Sequence, residues 1–150
     1  MKKIINIGLI GCGVVGLKRI KNLPKQFKLI GCADPLIHSK KKYIKKKNIL
    51  FFKDWKNLIK LKHLDAVIIS TTHSLHSKIL NTCVNQNIHS FIEKPGGISH
   101  IETKKILDRL KKKKISVKVG FNHRYHPTFI LAKKLISQNK IGKLMYIRAV

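Results

Sequence analysis

The feature that most constrains this chain is an apolar, β-branched run that leads directly into three closely spaced glycines. Residues 4–10 have the composition of a strand, and the next six residues are Gly-Cys-Gly-Val-Val-Gly. This spacing, between a strand and a helix, is typical of a dinucleotide-binding turn. Gly11 permits a tight turn, Gly13 allows close approach of a pyrophosphate, and Gly16 lets the helix pack on the strand. The predicted contacts of the turn are Gly11, Gly13, Val14, Val15 and Gly16.

An acid at the end of the next strand completes this pattern. Asp34 follows the predicted strand 27–33, and the chain contains only six acidic residues. We expect its carboxylate to accept hydrogen bonds from the adenosine ribose. The alternative is that Asp34 only opens the turn with Pro35. An acid here repels a 2′-phosphate and favours NAD, whereas Ser39 and the lysines at 40–42 leave NADP open.

Strand-like and helix-like segments alternate along the whole chain. The predicted strands are residues 4–10, 27–33, 49–52, 66–70, 88–92, 115–119 and 143–150, and the predicted helices are 14–23, 40–47, 54–60, 74–84, 99–113 and 127–137. Asp54, Ser74 and Ser99 are placed to cap three helices, and Glu102 would complete a capping box. The alternation predicts a Rossmann-like α/β fold, a doubly wound parallel sheet with helices on both faces.

Composition limits the class of protein. The chain has 150 residues, 43% of them hydrophobic, which suffices for one core. No apolar run reaches the ~20 residues of a membrane span, so we expect neither an export signal nor a membrane partner. The three cysteines lack paired spacing. We therefore expect Cys12 and Cys32 to be buried thiols and the protein to be cytoplasmic.

The net charge of +27 also suits a basic nucleic-acid-binding α/β protein. Lysine and arginine total 33 residues, but only four are arginine. Forked recognition of bases and phosphates needs arginine, and the lysines are spread over every predicted helix. We therefore do not expect a specific nucleic-acid partner.

Polar residues follow three predicted strands, at the edge where open parallel sheets bind ligands. They are Ser-Thr-Thr-His-Ser-Leu-His from residue 70, Glu-Lys-Pro-Gly-Gly from residue 93, and Gly-Phe-Asn-His-Arg-Tyr-His-Pro from residue 120. With the glycine turn, these segments resemble the Gfo/Idh/MocA oxidoreductases, which act mainly on sugars and cyclitols. The resemblance covers essentially all 150 residues, and the Glu-Lys-Pro triplet is its most specific element. The third segment is similar to a branch associated with nucleotide-sugar metabolism.

The resemblance implies a role for each of several residues. Lys94 would be buried beside the nicotinamide and relay a proton during hydride transfer between a sugar-like hydroxyl and the cofactor. Glu93 would bind the cofactor ribose or hold Lys94. The other implied cofactor contacts are Thr71, Thr72, His76 and Arg124, and the implied substrate contacts are Lys94, Asn122, His123 and Arg124.

Two histidine pairs have a spacing that metal ligands can have. His73 and His76 are three residues apart, as are His123 and His126, and that spacing can place two ligands on one helical face. No cysteine or acid completes either set nearby, so we expect no metal site.

Family members, by the same resemblance, are more than twice as long and carry an antiparallel second domain that closes over the nicotinamide and usually forms a homo-oligomer. We assign residues 1–142 to the nucleotide-binding domain and 143–150 to the start of a second domain that is essentially missing. The chain ends in a predicted strand with no helix to cover it. Two hypotheses follow: an NAD-dependent sugar or cyclitol dehydrogenase, or a non-catalytic dinucleotide-binding fragment.

Overall fold

The computed structural model of the protein describes residues 4–44, 48–97 and 99–148. The strands are β1 Ile5–Ile10, β2 Phe27–Ala33, β3 Leu50–Phe52, β4 Ala66–Ile69, β5 His89–Ile92 and β6 Val117–Val119. The helices are α1 Val14–Lys21, α2 Ile37–Lys40, α3 Trp55–Ile59, α4 His73–Asn85, α5 His100–Leu110 and α6 Pro127–Ser137, with 3-10 turns at Lys41–Tyr43 and Asn122–Tyr125. The chain divides after Gly120 into two compact units, and the first contains these six strands.

The six strands form one sheet in the order β3-β2-β1-β4-β5-β6, and every neighbouring pair is parallel. β1 has β2 on one side and β4 on the other, so the order of the strands reverses between them. In an open parallel sheet, this reversal leaves a crevice at the carboxyl ends of the strands, where ligands bind. The predicted doubly wound sheet is confirmed.

Two apolar clusters cover the two faces of the sheet. Along β4, Val67 and Ile69 belong to one cluster and Ile68 to the other, because side chains alternate between faces. The cluster that includes Val67 also contains buried side chains of α3, α4 and α5, and the other contains Ile20 of α1 and Ile37 of α2. Each fully buried aliphatic side chain contributes about 1.5–3 kcal/mol, so both clusters hold helices against the sheet.

The caps of the helices differ in part from the prediction. Asp54 caps α3 as predicted, by accepting a backbone N–H at 2.9 Å. α4 begins after Thr72 rather than at Ser74, because Thr72 has the extended backbone of an N-cap. Ser99 precedes α5 as predicted, but its side chain makes no capping hydrogen bond. The predicted capping box is therefore not formed, and the carbonyl of Ser99 accepts from the hydroxyl of Thr103.

The lysine-rich segment 40–47 is not one helix, contrary to the prediction. α2 ends at Lys40, a 3-10 turn follows as far as Tyr43, and residues 45–47 lie outside the described residues. Ile37 in α2 and Ile44 after the 3-10 turn are both buried, and they hold this part of the chain against the core. Lysines without acids one helical turn away repel one another and do not support a longer helix.

The second unit contains a 3-10 turn and α6, whose predicted bounds are confirmed, with Pro127 at the first helical position. The predicted strand 143–150 is absent from its described part, because residues 143–148 pair with no strand and a strand requires such pairing. Residues 149 and 150 lie outside that part. None of the helices within 4–44, 48–97 and 99–148 is both long and apolar enough to cross a membrane.

Candidate functional site

Two glycines of the turn after β1 are required by packing. Gly11 has φ +90°, and its N–H donates to the carbonyl of Ala33 at 2.8 Å. A side chain at Gly11 would place its Cβ 2.5 Å from the carbonyl oxygen of Ser70. A Cβ at Gly16 would overlap the carbonyl oxygen of Gly11 and the hydroxyl of Ser70. These glycines therefore allow α1, β1 and the end of β4 to meet.

Gly13 differs because it faces open space. It is the N-cap of α1, with extended backbone, and among the described residues other than its chain neighbours no atom lies within 4 Å of the position its Cβ would take. The side chains of Val14 and Val15 are 85% and 49% exposed, so nothing in the described structure covers this helix start. The first amides of a helix lack intrahelical acceptors, and together with the helix dipole they favour an anion. The residues of this turn therefore fit the pyrophosphate of a dinucleotide.

Asp34 is held by the backbone on both carboxylate oxygens. Oδ2 accepts the N–H of Cys12 in the glycine turn at 2.8 Å, and Oδ1 accepts the N–H of Leu36 at 2.8 Å. The second bond is the turn-forming contact considered as the alternative role of Asp34. Each carboxylate oxygen has more than one lone-pair direction, so these bonds orient the group without using up its capacity to accept from a ribose.

A cleft of about 610 Å³ lies against the turn and Asp34. It is lined by Ile10, Gly11, Gly13, Ala33, Asp34, Pro35, Lys53, Asp54, Trp55, Ser70, Thr71, Thr72 and Leu75. Thr71 and Thr72, predicted as cofactor contacts, lie in this wall. Lys53, Trp55 and Leu75 also line the cleft and were not predicted to do so. Their only signal was their position just after predicted strands, at the carboxyl edge of the sheet.

His76 is brought near this wall but is fully buried. Its Nδ1 lies 2.8 Å from the carbonyl oxygen of Pro95, and its Nε2 lies 3.2 Å from that of Thr71. The ring of His73 meets it edge-on at 5.5 Å. Within the described ranges, no group of three His, Cys, Asp or Glu residues is arranged to hold a metal ion.

Glu93, at the end of β5, is 9% exposed and paired with a cation from α1. Its Oε1 lies 2.5 Å from Nε of Arg19, whose guanidinium also lies over the ring of Phe91 at 5.1 Å. A Cβ at Gly120 would lie 2.9 Å from Oε2, so a glycine there leaves room for the carboxylate. The role of Arg19 was not predicted, and its position one helical turn after Gly16 is the only feature of the sequence that points to it.

Lys94 follows Glu93 and is exposed, so the expectation that it is buried is wrong for this structure. The chain leaves the sheet at this point, and the residues after β5 lie at its open carboxyl edge. The Lys94–Pro95 peptide is cis. Lys94 is exposed at the same edge of the sheet as the cleft, but it is not among the residues that line it.

Asn122, His123 and Arg124 lie together in the 3-10 turn of the second unit. Within that unit, the guanidinium of Arg124 lies 5.6 Å from the ring centre of Phe121, and the ring of His123 stacks on Phe129 at 5.9 Å. Their roles toward substrate and cofactor stay predictions.

The cysteines are structural, as expected. Cys12, Cys32 and Cys83 are fully buried and free. Burial raises the pKa of Cys83 to about 12, and a hydrogen bond with Cys12 together with burial raises the pKa of Cys32 above its ordinary range. Cys32 and Cys83 therefore pack as neutral thiols at physiological pH.

A parallel sheet in this strand order, with a glycine turn, an open helix start and an acid after β2, defines a dinucleotide-binding α/β domain. Residues 5–121 match the family model GFO_IDH_MocA, described as an oxidoreductase family with an NAD-binding Rossmann fold. The chain belongs to this family.

Relatives of known activity match nearly the whole chain. The myo-inositol 2-dehydrogenase of Thermotoga maritima is 28% identical in an alignment 150 positions long, gaps included. The alignment covers 96% of this chain and 44% of the relative. The NAD-dependent scyllo-inositol 2-dehydrogenase of Bacillus subtilis is 28% identical, covering 99% of this chain and 44% of the relative. The scyllo-inositol dehydrogenase of Lactobacillus casei, solved with NAD(H) and scyllo-inositol, superposes with a TM-score of 0.84 at 24% identity, covering 94% of this chain and 43% of that one. The chain thus spans less than half the length of these relatives.

Proposed function

We propose that this protein binds NAD in the 610 Å³ cleft and belongs to an oxidoreductase that oxidises a ring hydroxyl of a sugar, nucleotide-sugar or cyclitol in the cytoplasm. The observation that supports this most directly is the uncovered helix start at Gly13 beside a carboxylate already oriented by the backbone at Asp34. The first amides of α1 would hold the diphosphate, and Asp34 would accept from the adenosine ribose. Thr71 and Thr72 would line the cofactor channel.

NAD, when bound, would accept the hydride. The protein would have to move the proton of the substrate hydroxyl and position the substrate. We propose that the exposed amine of Lys94 holds or relays the proton of the substrate hydroxyl. The carboxylate of Glu93 is already paired with Arg19, so we do not assign it the ribose of the cofactor. We therefore propose that Glu93 anchors the segment that carries Lys94 to α1, a role different from the two that were predicted. Asn122, His123 and Arg124 would contact the substrate.

The alternative is a dinucleotide-binding module that has no catalytic activity. It is favoured by the exposure of Lys94, because hydride transfer needs a site from which water is excluded. Incubation with NAD⁺ and myo-inositol, scyllo-inositol or a nucleotide sugar, followed at the absorbance of NADH, separates the two. Turnover that disappears in Lys94→Met supports the oxidoreductase. Binding of NADH without turnover favours the module.

Cofactor preference tests the role given to Asp34. We expect NADH to bind more tightly than NADPH, and the preference to fall at least about tenfold in Asp34→Asn, because neutralising the acid removes its repulsion of a 2′-phosphate. Trp55 is the only tryptophan and lines the cleft, so its fluorescence reports both titrations.

Asp65→Asn is the matched control for this experiment. Asp65 also accepts a backbone N–H at 2.8 Å, from Asn6, but it precedes β4 and lies at the opposite edge of the sheet. The two variants change the same charge and weaken similar bonds. An equal change of preference in both would show that net charge, and not the position of Asp34, selects the cofactor.

Stabilisation by duplex DNA alone, lost on adding salt, would instead support a nucleic-acid-binding protein.

A further inference from the structure

One imidazole joins two loops at the carboxyl edge of the sheet. His76 is the fourth residue of α4, and its side chain is fully buried. Both ring nitrogens face main-chain carbonyl oxygens, one from each of two loops. A buried ring N–H needs an acceptor, and a single loop could supply it, whereas here the two nitrogens face two different loops.

The two carbonyls belong to the two loops of the proposed site. Thr71 follows β4 and lines the cleft, and Pro95 directly follows Lys94 after β5. β4 and β5 are neighbours, with Ile69 paired to Ile92, so the two loops leave the sheet side by side. The ring therefore bridges the wall of the cleft and the segment that presents Lys94.

The distances distinguish the two nitrogens. A neutral imidazole has one N–H and can donate to only one of the two carbonyls. The contact of Nδ1 with Pro95 is 2.8 Å, within the usual range, whereas that of Nε2 with Thr71 is 3.2 Å, at its long end. The shorter contact favours the proton on Nδ1 and donation to Pro95.

We propose that His76 is a positioning residue for the hydride transfer proposed above, on which this inference rests. It donates from Nδ1 to the carbonyl of Pro95 and thereby fixes the backbone on which the Lys94 amine is carried. The Nε2 edge of the ring only packs against the Thr71 loop, because an unprotonated nitrogen cannot donate to a carbonyl oxygen. Holding a reacting group in place lowers the cost of reaching the reactive geometry, although the ring touches no reacting atom.

Three substitutions separate the donor from the shape of the ring. His76→Phe keeps the ring and removes both nitrogens. His76→Asn places an amide nitrogen on Cγ, as Nδ1 is, and so retains the donor toward Pro95. His76→Gln extends its amide nitrogen toward the position of Nε2 and retains only the side facing Thr71. His73→Phe, on the same helix but exposed, is the matched control.

The readout is the affinity for NADH compared with ADP-ribose, which lacks the nicotinamide. In the Phe and Gln variants, we expect the affinity for NADH to fall about tenfold more than the affinity for ADP-ribose, because the segment carrying Lys94 is no longer fixed. In the Asn variant and in His73→Phe, the ratio of the two dissociation constants should stay within about threefold of the wild type. An equal loss of both affinities in every variant, or equal ratios in Asn and Phe, would overturn the proposal. If His76→Phe does not fold, the comparison of Asn with Gln decides it.

The unaltered protein offers a second test. In ¹⁵N-histidine spectra, His76, assigned by the signal missing from His76→Asn, should carry its proton on Nδ1 and exchange it slowly with solvent. A proton on Nε2 alone would overturn the proposal. Failure of the wild type to bind NADH at all would refute the proposed function, and this inference with it. Binding of NADH with a proton on Nε2 would refute the role of His76 and leave the proposed function intact.

Discussion

Gly13→Val should weaken NADH binding by at least about 100-fold while lowering the melting temperature only slightly. In the part of the chain that the structure describes, no residue beyond its two chain neighbours lies within 4 Å of the missing Cβ. The backbone of Gly13 is extended, so the folded protein accepts a side chain there without backbone strain. The same side chain would occupy the space that a diphosphate needs above the first amides of α1. The stated loss corresponds to about 2.7 kcal/mol of binding free energy.

Isothermal titration with NADH and ADP-ribose, together with thermal unfolding, checks this expectation. Both ligands should lose affinity equally, because they share the diphosphate. Val15→Ala serves as a control, since it changes an exposed side chain of the same helix start without adding bulk. Wild-type affinity in Gly13→Val would show that no diphosphate rests on this turn.

Gly16→Ala should have the opposite signature, with a large loss of folding stability. The added methyl would overlap the carbonyl oxygen of Gly11 and the hydroxyl of Ser70, which are themselves hydrogen-bonded to each other at 2.7 Å. Since the backbone oxygen cannot rotate away, α1 must move off the sheet. We expect the free energy of unfolding to fall by about 3 kcal/mol, in the range seen when a packed site is overfilled.

Urea denaturation of Gly16→Ala beside Gly13→Ala measures this difference with the same chemical change at both positions. The Gly13 variant should lose no more than about 1 kcal/mol, because alanine is a poorer N-cap than glycine but meets no overlap there. Removing the hydroxyl with Ser70→Ala should restore part of the stability of Gly16→Ala, because one of its two overlaps disappears. Equal stability of the two glycine variants would mean that close packing of α1 does not depend on Gly16.

Most of the fold could be predicted because its signals are local. β2 and α6 have the predicted bounds, since each depends on short-range apolar patterning and on breakers close in sequence. The errors fall where local rules compete. The lysines after α2 favoured a helix by composition, but like charges one turn apart oppose it. For residues 143–148, the apolar pattern predicted a strand, but a strand also needs a partner, which local sequence cannot supply.

By itself, the sequence determined the glycine turn, the acid that follows β2 and the alternation that builds a parallel sheet. Each of these depends on the conformational needs of residues that are close along the chain. Only the tertiary structure decided that Arg19 pairs with Glu93, 74 residues away, and that His76 faces both Thr71 and Pro95. Such contacts arise because the strand order places the ends of β1, β4 and β5 side by side, and burial then requires each polar group to find a partner. The spacing of residues along the chain does not indicate which distant residues come into contact.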